Sequence, residues 1–396
     1  MKTEIVKIDP KAIDEAVIAH AGDILKRGGL VAFPTETVYG LGGDALNPDA
    51  SRKIYAAKGR PSDNPLIVHI ADMEHLEAIA ETVPDNARRL AAAYWPGPLT
   101  MIFNKKAIVP YETTGGLDTV AVRMPSDPIA AALIRAEGGY IAAPSANTSG
   151  RPSPTTARHV IDDLDGRIDM IIDGGGVVKI GVESTIVDFT DTVPTILRPG
   201  YINLDMLEQV LGEVKIDPGI LDANANKGIR PKAPGMRYRH YAPKADMTIV
   251  EGEENAVVAK ITALAREAAE AGKKVGIIAT VTTGGRYADA LRPYLLAGKW
   301  ENAYADFAEP SAEGGAEAGQ TASGPSDGKK KGSVDIRDIG TRDDDRTIAR
   351  HLFAELRQFD DDGVDVIFSE AFETPRMGMA IMNRLKKAAG QKLIRV

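Results

Sequence analysis

The chain declares its architecture at residues 30–42, Leu30-Val31-Ala32-Phe33-Pro34-Thr35-Glu36-Thr37-Val38-Tyr39-Gly40-Leu41-Gly42. Four apolar residues form a short buried strand, and Pro34 stops it. The loop that follows carries hydroxyls, a carboxylate and glycines. In open α/β sheets ligands bind beyond the strand C-termini, so such a loop suits a small polar ligand; the plainer reading is an ordinary strand-to-helix turn. Upstream, Ile13, Val17, Ile18, Ala21, Ile24 and Leu25 recur at helical spacing over 12–27, and Gly28-Gly29 ends the run. Downstream, Asn47 and Pro48 read as N-cap and first residue of a helix that closes before Gly59. Further strands are expected at 66–70, 99–103, 119–124, 140–143, 169–172 and 184–189, and helices at 84–94, 128–137, 155–164 and 203–211. The alternation predicts an α/β domain over residues 1–212.

Residues 213–245 read differently. Between Lys227 and Lys244 the cations Lys227, Arg230, Lys232, Arg237, Arg239 and Lys244 occur with no Asp or Glu among them. Pro231, Pro234 and Pro243 block regular helix or strand there. The stretch is expected to be an extended, basic, proline-rich linker. Residues 246–396 then give a second, smaller, Rossmann-like α/β domain, with strands at 247–250, 275–279 and 364–368 and helices at 254–271, 343–359 and 376–389. It lacks a G-x-G-x-x-G after its first strand, so no dinucleotide is expected. Inside it, residues 308–333 are low-complexity and predict a disordered insertion.

Composition excludes several classes. The 396 residues are 43% hydrophobic and 26% charged, as in a soluble two-domain protein. No apolar run of about 18 residues exists, so no membrane span is expected. The N-terminus has no apolar core of a signal peptide. With no cysteine there is no disulfide, thiolate zinc site or cysteine nucleophile. These features point to the cytoplasm. The net charge of −8 argues against a surface that grips nucleic acid along its whole length.

Each loop alone is a weak signal for chemistry, and their number is what argues for a site. Lys58 and Arg60 flank Gly59 at a helix end, where Arg chelates phosphate oxygens and Lys acts as a point charge; for Lys58 alone, compensation of the helix dipole is the simpler account. His69 alternates with apolar residues in 66–70, a pattern more often structural than catalytic. Arg123 lies in the apolar run 120–124 and needs an anionic partner, either a structural acid or a substrate carboxylate. The loop 143–150 offers Ser145, Asn147 and free backbone N–H groups to phosphate or ribose. Ser184-Thr185 opens a strand and Arg198-Pro199-Gly200 closes one. There is no P-loop, no G-x-S-x-G, no H-E-x-x-H and no kinase set.

Together, PTETVYGLG (34–42), KGRPSDNPL (58–66), WPGPLT (95–100), VAVRMP (120–125), APSANTSGRPSPT (143–155), ESTIVD (183–188) and ILRPG (196–200) resemble the YrdC/Sua5 family of threonylcarbamoyl-AMP synthases. The linker APGMRYRHYAPKA (233–245) and the second domain resemble its long form. The low-complexity insertion departs from that pattern. The resemblance implies a YrdC-like open twisted sheet with a concave active-site face. It implies threonine contacts from Thr37, His69, Arg123 and Ser184. It implies nucleotide and phosphate contacts from Lys58, Arg60, Asn64, Ser145, Asn147 and Arg198, with Tyr241 of the linker reaching over the nucleotide.

The implied reaction joins L-threonine, bicarbonate or CO2, and ATP. The amine forms N-carboxythreonine, whose carbamate attacks the α-phosphate and releases pyrophosphate. No side-chain nucleophile is required, and Lys58 and Arg60 are the expected catalytic cations, with Mg²⁺ accompanying ATP and no metal site or prosthetic group in the protein. The product feeds threonylcarbamoyladenosine formation in tRNA, with a downstream tRNA threonylcarbamoyl transferase as partner. The basic linker is expected to close over ATP and the carbamate, or to act as a tether on the acidic first domain; deleting 227–245 tests this. Two competing readings are a related hydrogenase-maturation carbamoyltransferase, disfavoured by the absent cysteines, and an RNA-binding or ribosome-associated module, disfavoured by the acidic charge though weak RNA binding stays open.

Overall fold

The computed structural model describes residues 2–222, 225, 231–234, 236, 240–295 and 332–396. The expected insertion is therefore outside the described residues except for Gly332 and Ser333, and so are the linker cations Lys227, Arg230, Arg237 and Arg239. The chain forms two compact units. The first comprises 1–242 together with 349–354 and 373–388, and the second 243–348, 355–372 and 389–396.

The strands of the first unit are β1 (Glu4–Lys7), β2 (Val31–Phe33), β3 (Gly40–Asp44), β4 (Ile67–His69), β5 (Leu99–Asn104), β6 (Thr119–Arg123), β7 (Ile141–Ala142), β8 (Met170–Asp173), β9 (Thr185–Asp188), β10 (Thr195–Arg198) and β11 (Lys215–Ile216). They make one mixed sheet ordered β1-β8-β2-β3-β7-β4-β6-β5-β9-β10-β11. Its helices are α1 (Glu15–Lys26), α2 (Pro48–Lys58), α3 (Met73–Ile79), α4 (Asp85–Tyr94), α5 (Pro128–Glu137), α6 (Ala157–Leu164), α7 (Leu204–Leu211) and the single turn α8 (Pro218–Leu221). Apolar side chains leave the strands alternately to two cores. Met170 and Ile172 join Val31 and Phe33 against Leu25 of α1 and Leu133 of α5, whereas Ile171 joins Ala32 and Leu41 on the side of Ile54 of α2. Both faces are covered, so the strands read as continuous apolar runs rather than as alternating ones.

Residues 34–42 differ from expectation. They lead from strand to strand, because β3 pairs antiparallel with β2 in the register Val31↔Gly42, Ala32↔Leu41, Phe33↔Gly40. The glycines that read as loop are there for clearance. A Cβ on Gly42 would lie 2.8 Å from Ile141 Cγ2 and 2.9 Å from the Phe33 ring. The linker likewise holds some regular structure, β11 and α8, ahead of its basic part.

The strands of the second unit, β12 (Asp246–Glu251), β13 (Lys274–Ala279), β14 (Ser333–Asp338), β15 (Val366–Glu370) and β16 (Leu393–Arg395), form a parallel sheet ordered β14-β13-β15-β12-β16. Helices α9 (Glu254–Glu270) and α10 (Val281–Leu291) pack on it. Two later helices, α11 (Asp345–Asp361) and α12 (Gly378–Ala388), were expected in this unit. Residues 349–354 of α11 and the whole of α12 pack instead with the first unit. The reason is visible in two contacts: Phe353 stacks on Tyr241 with ring centroids 5.0 Å apart, and the guanidinium of Arg384 pairs with Glu183. No described helix is long and apolar enough to cross a membrane.

Candidate active site

Strand register assembles the site. His69 at the end of β4 pairs with Arg123 at the end of parallel β6, and on its other side with Ile141 of β7. Arg123 pairs in turn with Thr100 of β5. Next along, Leu99 pairs with Thr185 of β9, and Ile186 pairs with Arg198 of β10. Ser145 bridges to Gly40 at the start of β3. Residues between Gly40 and Arg198 in sequence thus form one row along a single end of the sheet, with Lys58 and Arg60 delivered by the close of α2. That close follows its sequence signals: Asn47 accepts from the Asp49 N–H, Pro48 is the first helical residue, and Gly59 turns left-handed at φ 61°.

The row opens into a cleft with about 690 Å³ of empty volume, part of it open to solvent. Lys58, Arg60, His69, Arg123, Ser145, Asn147, Arg198 and Tyr241 line it. Thr37, Asn64 and Ser184 do not; they are buried and hold groups that do. Thr37 Oγ1 is 2.9 Å from the hydroxyl of Thr35, a wall residue. The Asn64 carbonyl accepts from Arg60 Nε at 3.3 Å. Ser184 accepts from Arg198 twice, at its carbonyl (3.0 Å) and its hydroxyl (3.1 Å), and its Oγ lies 2.7 Å from Thr100 Oγ1.

Arg123 is the most informative side chain. It is 4% exposed, and its Nη2 lies 2.9 Å from Oε2 of Glu36, which is equally buried. Yet among the described residues Arg123 Nε and Nη2 and both Glu36 oxygens have no hydrogen-bond partner, since the 2.9 Å approach falls outside hydrogen-bonding angles. Buried guanidinium donors left open beside a cleft are costly without a ligand to accept from them. Glu36 balances the charge and leaves the donors available.

The other cations are held more fully. The ammonium of Lys58 donates to the carbonyls of Ser145 and Asn147, so it fixes the 143–150 loop while standing on the wall. Arg60 Nη2 donates to the Pro65 carbonyl at 3.1 Å. Burial, opposed by Glu183, pushes Arg198 down to about 10, still charged at neutral pH. Both histidines of the wall are neutral. Burial and then Arg123 bring His69 down to about 3, and burial and then Arg60 do the same for His240. His69 Nδ1 lies 3.1 Å from the Ile67 carbonyl, which assigns its proton to that nitrogen. Among the described residues the wall therefore carries Lys58, Arg60, Arg123, Arg151 and Arg198 against one carboxylate, Glu183, an excess suited to a polyanionic ligand.

From the linker, Pro234, His240 and Tyr241 reach the cleft. Tyr241 has φ 63°, a conformation rare for a bulky residue and found where surrounding structure imposes it. It is stacked on Phe353, and burial raises its hydroxyl to about 12.

Sequence reasoning nominated neither Glu36 nor Glu183, nor Ser153, Arg151, His240 or Arg384. Glu36 and Glu183 lie in loops beside threonine or serine, without the apolar strand flanks that singled out Arg123. Arg384, in an amphipathic helix with lysines beside it, carried none.

Comparison with known proteins agrees with this geometry. The family model Sua5_yciO_yrdC, described as telomere recombination, matches residues 23–200. The model described as threonylcarbamoyl-AMP synthase, C-terminal domain, matches 202–390. A threonylcarbamoyl-AMP synthase of Pyrococcus abyssi is 44% identical over 97% of both chains. One of Bacillus subtilis is 43% identical over 98% of this chain and 97% of its own. The crystal structure of P. abyssi Sua5 complexed with L-threonine superposes with a TM-score of 0.81 at 43% identity, covering 100% of each chain. With a fold, a cationic cleft and full-length relatives in agreement, the chain belongs to the Sua5/YrdC family.

Proposed function

We propose that this chain joins L-threonine, bicarbonate or CO2, and ATP into threonylcarbamoyl-AMP with release of pyrophosphate, as a nucleotidyltransferase of tRNA modification. The observation that carries the proposal is Arg123, whose two open donors sit on the wall of a cleft that also holds Lys58, Arg60 and Arg198. A fork of donors matches a carboxylate, and the other cations match a polyphosphate.

In this reading Arg123 takes the threonine carboxylate, held from behind by Glu36. Neutral His69 beside it offers a hydrogen-bonding ring without a second positive charge, so the threonine amine is not repelled from the same corner. The neutral amine adds to CO2 and gives its extra proton to solvent, or displaces water from bicarbonate; a carbamate oxygen then attacks the α-phosphorus and the bond to the β-phosphate oxygen breaks. The leaving pyrophosphate takes the electron pair, and Lys58, Arg60 and Arg198 stabilise the charge as it moves. Lys58 also keeps the Ser145–Asn147 loop in place for the nucleotide. Tyr241 closes the wall from the linker side.

A divalent ion, Mg²⁺ in this proposal, would accompany ATP. Among the described residues no group of three or more His, Asp or Glu is arranged to hold a metal, and Glu183 is already engaged by Ser153 and Arg384. The residues present do not form a site for the ion, so its ligands would be phosphate oxygens and water. The labile adenylate would pass to a tRNA threonylcarbamoyl transferase in the cytoplasm. Purified protein should release pyrophosphate from ATP only when threonine and bicarbonate are both present; release independent of threonine would reject the proposal.

A further inference from the structure

Helix α12 sends one side chain into the ground beneath the cleft. Arg384 is fully buried, yet it does not line the cleft. Its Nε donates to Glu183 Oε2 at 3.1 Å and its Nη2 to the Glu183 carbonyl at 3.2 Å. Its Nη1 donates to the carbonyl of Pro199 and, at 3.5 Å, to that of Ala380. The second Glu183 oxygen accepts from Ser153 Oγ at 2.5 Å. One guanidinium thus clamps the residue before Ser184 to the residue after Arg198.

Glu183 and Arg198 both line the cleft and interact electrostatically. Arg198 spends Nε and one Nη2 hydrogen on Ser184, and its Nη1 makes no hydrogen bond among the described residues. A Glu183 carboxylate freed from Arg384 would be drawn to Arg198, with which it already interacts electrostatically. Burial by itself would raise the Glu183 carboxyl, but Arg384, and after it Arg198, hold it below its ordinary range, so the carboxylate is charged and must be paired.

We propose that Arg384 is a positioning residue for the nucleotide half of the reaction: by occupying Glu183 and tying down Pro199, it keeps Glu183 from closing onto Arg198 and leaves the Arg198 Nη1 donor to a phosphate of ATP. This rests on the assignment of Arg198 to the nucleotide. It also gives α12, whose Arg384 stands 186 positions beyond Arg198 in sequence, a defined part in the cleft.

The test is steady-state pyrophosphate release by the full chain, with KM for ATP and for threonine measured separately. Losing charge-assisted hydrogen bonds at this point should raise the ATP KM of Arg384→Ala by about tenfold to a hundredfold, while the threonine KM stays within about threefold. Removing the offending charge should then rescue binding. The ATP KM of Arg384→Ala/Glu183→Gln should fall to within about twofold of Glu183→Gln alone, because a residue that acts only through the Glu183 charge has no effect once that charge is gone. A merely structural arginine would raise both KM values and show no rescue, and that result overturns the proposal. If Arg384→Ala alone does not fold, comparing Glu183→Gln with and without Arg384→Ala decides the matter: equal ATP KM supports the proposal, a tenfold difference rejects it. Arg198→Ala separates the two assumptions. An unchanged ATP KM there would show that the assignment of Arg198 has failed, whatever Arg384 does.

Discussion

Replacing Arg123 by lysine gives the sharpest view of substrate recognition. Alanine at this position is a poor choice, because it strands the buried Glu36 carboxylate, which is 4% exposed and faces Arg123 at 2.9 Å. Leaving one member of a buried pair uncompensated costs about 3–5 kcal/mol, a large part of the 5–15 kcal/mol that typically holds a protein folded. Lysine keeps the positive charge opposite Glu36 but replaces a fork of two open donors, Nε and Nη2, with one point charge. One charge-assisted hydrogen bond to the threonine carboxylate is then lost, about 1.5–3 kcal/mol, or roughly tenfold to 150-fold in affinity. Arg123→Lys should therefore raise the threonine KM by that factor, leave the ATP KM within about twofold, and melt close to the parent. Pyrophosphate release over a threonine titration, paired with a thermal melt, makes the measurement. A threonine KM equal to the parent's, in a folded variant, refutes the reasoning, because the open donors of Arg123 would then serve no carboxylate.

Further outcomes follow from the same geometry. His69 titrates near 6.5 when unfolded but is held to about 3 when folded, so between those values the unfolded chain binds the extra proton and stability falls as pH falls, by ~1.4 kcal/mol per unit. Glu137 and Glu355, raised to about 7 by burial, act in the opposite sense over pH 4.5–7, so the effect is read as a difference: His69→Asn should gain ~2 kcal/mol on the parent between pH 7 and pH 5 in urea unfolding. Gly200→Ala places a Cβ 2.5 Å from the Thr185 N and 2.8 Å from the Ser184 carbonyl carbon; the backbone must shift, at ~1–3 kcal/mol, and a lowered melting temperature with a raised ATP KM is expected. Serine should be a poor substrate rather than a silent one, worse than threonine in kcat/KM by about 10–200-fold, since one methyl contact separates them.

Much of the first unit was legible because its signals are local. The helix at 48–58 is announced by Asn47, Pro48 and Gly59, and each plays the expected part. The strand at 119–123 is an apolar run with one charge, and that charge proved to be on the cleft wall. What stayed hidden depends on partners distant in sequence. The strand Gly40–Asp44 read as loop because its glycines are required by Phe33 and Ile141, which face it across the sheet. Glu36 and Glu183 were within quoted motifs, but their roles come from Arg123 and Arg384, and pairing leaves no trace in spacing. Helix α12 has the amphipathic pattern of any surface helix, and nothing in that pattern says which unit it will cover. Thr37, Asn64 and Ser184 were placed near the site by motif position, and their hydrogen bonds to Thr35, Arg60 and Arg198 of the cleft wall come from register and packing.

The central claim is the identity of the product, and the most direct measurement follows the one-carbon unit. Full-length protein incubated with ATP, Mg²⁺, L-threonine and isotopically labelled bicarbonate should form a species that contains AMP, threonine and the labelled carbon in equal amounts, with one pyrophosphate released for each. An adenylate of threonine that lacks the label, or labelled carbon that never joins AMP, would contradict the account.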